Sequence, residues 1–338
     1  MDSITGNKLI AAVRQATGLE DFGNLPHHPP LQPALDILID AINHEADLTD
    51  AGRTAWVWRL QGLLSNRLRL VALQKRRPEL ESRPLGTAIA IVGLSRSGTT
   101  KMQRVIASDA RLNFVSTWET NAPVPQPDAS DDRQQRIAAT QAMCDAWNSN
   151  PEMQKIHEFD PFLPEEEVSI MLSGFLMASL ECELRIPSFI RWIRTQDHRP
   201  SYRQLTGFLR SLAAEHGKPD APWVLKGTFH GPYLDVLREA IPGAKIVYCH
   251  RDPLDSIASY CSLLENLRSL FSDRVDKHEI GREVLGTWSV NLTEMMRVRE
   301  SLPAGSILDV DFRDIVGDLH GVLERVYAFA GIPLTAEA

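Results

Sequence analysis

Several things are scarce in this sequence. Its 338 residues hold four cysteines, Cys144, Cys182, Cys249 and Cys261, with no C-x-x-C pair. That spacing supports neither a disulfide framework nor a structural zinc site and reads as buried, reduced thiols. Positive charge is not in excess: 36 Lys and Arg against 44 Asp and Glu leave a formal net charge of −8. Such a balance argues against a broad grip on nucleic acid or an anionic membrane and confines any phosphate site to a local pocket. Long apolar runs are missing too. The longest, residues 168–180, is interrupted by Ser169, Ser173, Gly174 and Ser179 and is too short to cross a bilayer. Residues 1–18 carry Asp2, Lys8 and Arg14 among their apolar side chains and do not resemble a signal peptide, so the expected compartment is the cytoplasm. There is no internal repeat, no low-complexity segment and no cluster with metal-ligand spacing.

What is present divides the chain in two. Up to about Leu80 the apolar spacing is helical, with Leu35, Leu38, Ile39 and Ile42 in one segment and Leu60, Leu63, Leu64, Leu68 and Leu70 in the next, where Thr49 is a plausible N-cap. This predicts a helical N-terminal extension over residues 1–85 with no chemistry of its own. From Ala88 short β-branched runs alternate with helical patterns: residues 88–93, 113–118, 223–226, 245–249 and 306–310, with helices predicted over 132–147 and 233–240. The alternation predicts an α/β domain over 86–338, a P-loop-type three-layer sandwich around a parallel sheet of about five strands. Residues 168–180 are expected to form a buried helix, and residues 168–184, with Met171, Phe175 and Met177, one wall of a pocket. Pro164 followed by Glu165, Glu166 and Glu167 reads as a helix start, the carboxylates favouring the positive end of the helix dipole.

Two loops carry the chemistry. Gly93-Leu-Ser-Arg-Ser-Gly98-Thr99-Thr100 follows the first strand and precedes a helix, so its glycines allow a tight turn and successive N–H groups can surround an anion. Its glycine spacing matches G-x-x-x-x-G-K-[ST], but Thr99 stands where a lysine would reach the β- and γ-phosphates of a nucleoside triphosphate. The second loop, Lys245-Ile-Val-Tyr-Cys-His250-Arg251-Asp252-Pro253, puts an arginine at a strand end, with Ser259 eight residues further along the following helix. A bidentate guanidinium and a hydroxyl suit a phosphate monoester.

Taken together, Arg96-Ser-Gly-Thr-Thr100, Arg251 with Ser259, and Trp223-Val-Leu-Lys226-Gly-Thr-Phe-His230 between them resemble the bacterial branch of the sulfotransferase superfamily, from about Ala88 to Pro333. These enzymes use 3′-phosphoadenosine-5′-phosphosulfate (PAPS) as co-substrate. The resemblance implies that Arg96, Ser97, Gly98, Thr99 and Thr100 hold the 5′-phosphosulfate and that Arg251 and Ser259 hold the 3′-phosphate. It implies an acceptor bearing a hydroxyl or amine, which the apolar segment 168–184 suggests is small or lipid-like. No adenine partner carries over, because Lys101 stands where the cytosolic sulfotransferases have tryptophan. Family members usually continue through a further C-terminal segment, so a piece of the functional chain is expected beyond residue 338.

Sulfuryl transfer needs cations where charge develops on the leaving phosphate oxygen and a base for the acceptor proton. Lys226 is the candidate cation. Glu119, at the end of the second predicted strand, and His230, four residues after Lys226, compete as the base, with Glu119 slightly preferred and His157 a third choice. No metal is needed, since lysine, arginine and N–H groups can neutralise the phosphosulfate. Two readings compete with this one: a P-loop kinase, for which Asp252 would be the magnesium ligand, and a non-catalytic nucleotide-binding module.

Overall fold

Five runs of aliphatic and β-branched residues form one parallel sheet: β1 (Ala88–Gly93), β2 (Asn113–Phe114), β3 (Trp223–Lys226), β4 (Lys245–His250) and β5 (Ile307–Asp311), in the order β2-β3-β1-β4-β5. The structure, a computed structural model, describes residues 3–127, 131–149 and 158–335. Every residue of β1 is buried, as a central strand covered on both faces must be. Its side chains alternate between two packed layers. Ile89 and Ile91, with Val247 and Cys249 of β4, meet the helices Thr99–Ala107 and Leu319–Ala330. On the other face Ala88 and Ala90 join Trp223 and Leu225 under the N-terminal helices and the helix Arg199–Glu215. Val92, Ile246 and Tyr248 meet the helix Lys277–Ser301 there. The sandwich expected from the strand and helix alternation is the fold observed.

The N-terminal region shares its core with the sheet. Leu35, Leu38, Leu60, Leu64 and Leu68 are fully buried in one cluster with Phe175, Phe189, Tyr202 and Phe208. Truncating any of these leucines to alanine should cost about 2–5 kcal/mol. The helix Asp50–Arg76 starts at Thr49, whose hydroxyl accepts the Gly52 N–H at 3.0 Å. Gly52 is required there, because a Cβ would lie 2.2 Å from the carbonyl oxygen of Phe271. Arg67 is buried as well and donates to the carbonyls of Phe22 and Pro29, at 2.6 and 2.5 Å; burial lowers its pKa to about 10.

Two local expectations fail. The strand expected over 113–118 stops at Phe114, and a helix, Thr117–Asn121, begins in its place. Ser116 and Glu119 form a capping box that satisfies the first N–H groups of that helix and so favours a turn over extension. The single helix expected over 168–180 is broken into Val168–Met171, a 3-10 turn at Leu172–Gly174 and another at Ala178–Cys182. The break falls at Phe175, which adopts a left-handed conformation at φ 56°. Met171, Phe175 and Met177 are core residues packed with the N-terminal helices, and the pocket wall expected of them is not what they form.

Candidate active site

At the end of β1 the chain makes its tight turn with three positive φ values, 151° at Gly93, 71° at Arg96 and 88° at Gly98. A Cβ on Gly93 would lie 2.4 Å from the Cys249 carbonyl oxygen, and one on Gly98 would touch Phe312 and Ile315 at 3.2 Å. Glycine is therefore demanded at both by conformation and by contact. Ser97 is buried and closes the loop on itself, its hydroxyl donating to the Leu94 carbonyl at 2.6 Å. The helix Thr99–Ala107 starts directly after Gly98, so its first N–H groups lack intrahelical acceptors and form an anion-binding terminus. Thr99 is buried and Thr100 half-buried on its first turn. Lys101 turns away and donates to the Ile315 carbonyl at 3.1 Å.

The second loop closes onto the first. Arg251 Nη1 donates to the Arg96 carbonyl at 2.7 Å, and Arg96 Nε donates to Ser259 Oγ at 3.1 Å. The side chains expected to hold two separate phosphates thus belong to one continuous basic surface at the carboxyl ends of β1 and β4, where open parallel sheets bind ligands. The Arg251 guanidinium lies over the Phe312 ring at 4.4 Å, which holds it flat, and its Nε is buried without a hydrogen-bond partner. An orphaned guanidinium N–H is what an anion would complete, so these residues fit a phosphate ester. Asp252 is occupied as an N-cap, accepting the Leu254 N–H at 2.8 Å at the start of the helix Pro253–Ser269. Asp255 lies 3.8 Å from Arg251.

Lys226 ends β3 beside Ile91 of β1, and Thr228 just after it accepts from Ser95 of the phosphate loop at 3.3 Å, so the third motif abuts the first. The Lys226 ammonium pairs with Glu166. The backbone N–H of Lys226 donates to Glu167 Oε2 at 2.8 Å, and the other oxygen of Glu167 is 2.7 Å from His230 Nε2. His230 is fully buried, with its Nδ1 2.7 Å from the Tyr202 hydroxyl. Glu166 and Glu167 are therefore not the helix caps that their place after Pro164 predicts. Neither carboxylate caps the helix Val168–Met171; both reach across to the end of β3.

Glu119 lies in a different setting. Its Oε2 accepts from the Ser116 N–H and hydroxyl, each at 2.8 Å, and its Oε1 is 2.6 Å from His216 Nε2. His216 in turn contacts Asn113 at the start of β2, the edge strand two positions from β1 and its phosphate loop. The geometry does not bring Glu119 to Lys226. His157 lies outside the described residues.

Beside Thr228 a small cavity of about 30 Å³ is lined by Leu94, Phe229, Trp288, Leu292, Met295 and Asn291. Among the described residues no group of His, Cys, Asp and Glu side chains is placed to hold a metal ion, and no helix is long and apolar enough to cross a membrane.

Comparison with known proteins shows the family. The family model described as "Sulfotransferase family" matches residues 88–336. The chain belongs to the sulfotransferase family. Among solved structures, sulfotransferase STF1 from Mycobacterium tuberculosis H37Rv is similar at 27% identity and a TM-score of 0.83, covering 99% of this chain and 92% of that one. Sulfotransferase STF9 from Mycobacterium avium is similar at 24% identity and a TM-score of 0.86, covering 100% of this chain and 86% of that one, a likeness of fold. No curated protein matches the sequence.

Proposed function

We propose that this chain transfers a sulfuryl group from PAPS to the hydroxyl of a small acceptor, with Lys226 and Glu166 as the transferring pair. The observation that carries the proposal is the meeting of Arg96, Arg251 and Ser259 on one surface, with a guanidinium N–H of Arg251 left unpartnered, next to a lysine–glutamate pair at the end of the neighbouring strand. The loop 93–100 takes the 5′-phosphosulfate and Arg251 with Ser259 the 3′-phosphate. PAPS supplies the sulfuryl group, the S–O bond to its phosphate breaking as the bond to the acceptor oxygen forms.

Within that arrangement Lys226 leaves Glu166 to follow the charge that develops on the leaving phosphate oxygen. Glu166, a quarter exposed and released from its ion pair, takes the acceptor proton. Glu119 and His230 are less suited to this role, because both oxygens of Glu119 and both ring nitrogens of His230 are engaged inside the protein. The small cavity beside Thr228 has room for about one water molecule and gives the transfer point an apolar surround with Asn291 as a polar contact; it sets no shape for the acceptor.

The test is calorimetric titration with adenosine 3′,5′-bisphosphate, with ATP and magnesium as control. The bisphosphate should bind and ATP should not; a preference for ATP would move the assignment to a nucleotide-dependent kinase. Arg251→Ala should weaken the bisphosphate by about 100-fold, the worth of a charge-assisted bidentate contact. Unchanged affinity would remove Arg251 from the site.

A further inference from the structure

Behind Lys226 lies a row of side chains that the transfer step does not use. Tyr202, His230 and Glu167 are each completely buried. They connect in sequence: the Tyr202 hydroxyl to His230 Nδ1, His230 Nε2 to Glu167 Oε1, and Glu167 Oε2 to the backbone N–H of Lys226. A carboxylate taken wholly out of water is tolerated only when its oxygens are filled, and these are.

The direction of the bonds can be worked out. Glu167 Oε1 can only accept, which places a proton on His230 Nε2, and the Tyr202 phenol, whose pKa burial holds well above its ordinary value, keeps its own proton for Nδ1. The ring then carries its proton on Nε2 and donates it to Glu167, and no lone pair of the imidazole is left for a substrate proton. Gly227 allows this arrangement, since a Cβ there would lie 2.6 Å from His230 Cδ2 and push the ring off the strand end. The row ties β3 to the helix Arg199–Glu215, which carries Tyr202, and to the segment bearing Glu166 and Glu167.

We propose that Tyr202, His230 and Glu167 are positioning residues: a buried relay that fixes the end of β3 and the 166–167 segment so that the Lys226 ammonium and the Glu166 carboxylate meet at the crevice. His230 in this scheme holds Glu167 and moves no substrate proton. The proposal rests on the reading of Lys226 and Glu166 as the transferring pair.

One test uses the intact protein. Nitrogen-15 NMR of the histidine rings should show His230 as the neutral Nε2–H tautomer, and an Nδ1–H tautomer would overturn the relay. A second test compares His230→Gln with His230→Ala in conversion of PAPS to the bisphosphate over a panel of phenols, with bisphosphate affinity and melting temperature measured for each. Glutamine can restore the bond to Glu167 but is no base. His230→Gln should keep kcat within about 10-fold of the unsubstituted protein while His230→Ala loses about 100-fold, the scale expected when reacting groups are displaced by about 1 Å. KM and bisphosphate affinity should stay unchanged in both. If His230→Gln folds and is as inactive as His230→Ala, His230 moves the proton and the relay is wrong. If the unsubstituted protein fails to bind the bisphosphate, the nucleotide reading falls and takes this proposal with it.

Discussion

Residues 116–121 and 164–167 run side by side, joined by a bridge between Ser116 and Pro164 and by the Glu165 N–H donating to the Val115 carbonyl at 2.8 Å. Each offers a glutamate to the end of the sheet, yet the two segments use theirs for different ends. Glu119 is 2% exposed and spends both oxygens on its own helix start and on His216. Glu166 remains at the margin of solvent, its carboxylate paired with the Lys226 ammonium. A carboxylate with both oxygens engaged organises a fold; one paired with a lysine ammonium can exchange that cation for a substrate proton.

The comparison is broken most directly at Glu166. Glu166→Gln should lower kcat by about 100- to 1,000-fold, within the range for loss of a general base, and leave bisphosphate affinity within about 3-fold. Turnover at the unsubstituted rate would return the role of base to another group. Glu119→Gln should do the reverse. Losing the charge that serves Ser116 and His216 should cost about 1–3 kcal/mol in urea unfolding, with activity at saturating substrate nearly unchanged. A large loss of kcat with full stability would restore Glu119 to the chemistry.

A third glutamate sharpens the contrast. Burial pushes the Glu181 carboxyl up to about 7, despite the nearby guanidinium groups of Arg194 and Arg268. Because the folded state holds this proton more tightly than the unfolded chain, whose carboxyl titrates near 4.5, stability is full below that value and is lost as pH rises to about 7. Thermal melts of Glu181→Gln should therefore be flatter than those of the unsubstituted protein across this window and should gain most at pH 8. Parallel pH profiles for the two would show that Glu181 does not titrate there.

Much of the site was legible in the sequence because it is local. The apolar runs ending at Gly93 and His250 each lead within a few residues into a helix, and the loops carrying Arg96 and Arg251 lie at the strand ends where the pattern of strands predicts. The proposed base was not legible. Glu166 and Glu167 meet Lys226 and His230 across about sixty residues of chain, and locally a proline followed by three glutamates has the form of a helix start. The role of Glu119 did leave a local signal, since Ser116-Thr-Trp-Glu119 is a capping box. Reading residues 113–118 as a strand concealed it. The adenine partner had no local signature either, and Phe312, which supports Arg251, comes from a strand end some sixty residues further on.

The contact of Thr49 and Gly52 with Phe271 has a mechanical consequence. The helix Pro253–Ser269 carries Ser259 near its start, and just past its end the Phe271 carbonyl accepts the Thr49 N–H at 2.9 Å while the Ser272 hydroxyl donates to the Asp47 carbonyl at 2.8 Å. Seventeen residues of helix make a rod of about 25 Å, anchored at one end in the nucleotide surface and at the other in the N-terminal helices. The region that looks like an appendage in the sequence is thus an abutment for that rod, and cutting it away would leave the far end of the helix to Arg268, which donates to the Glu181 carbonyl at 2.9 Å and pairs with Glu283.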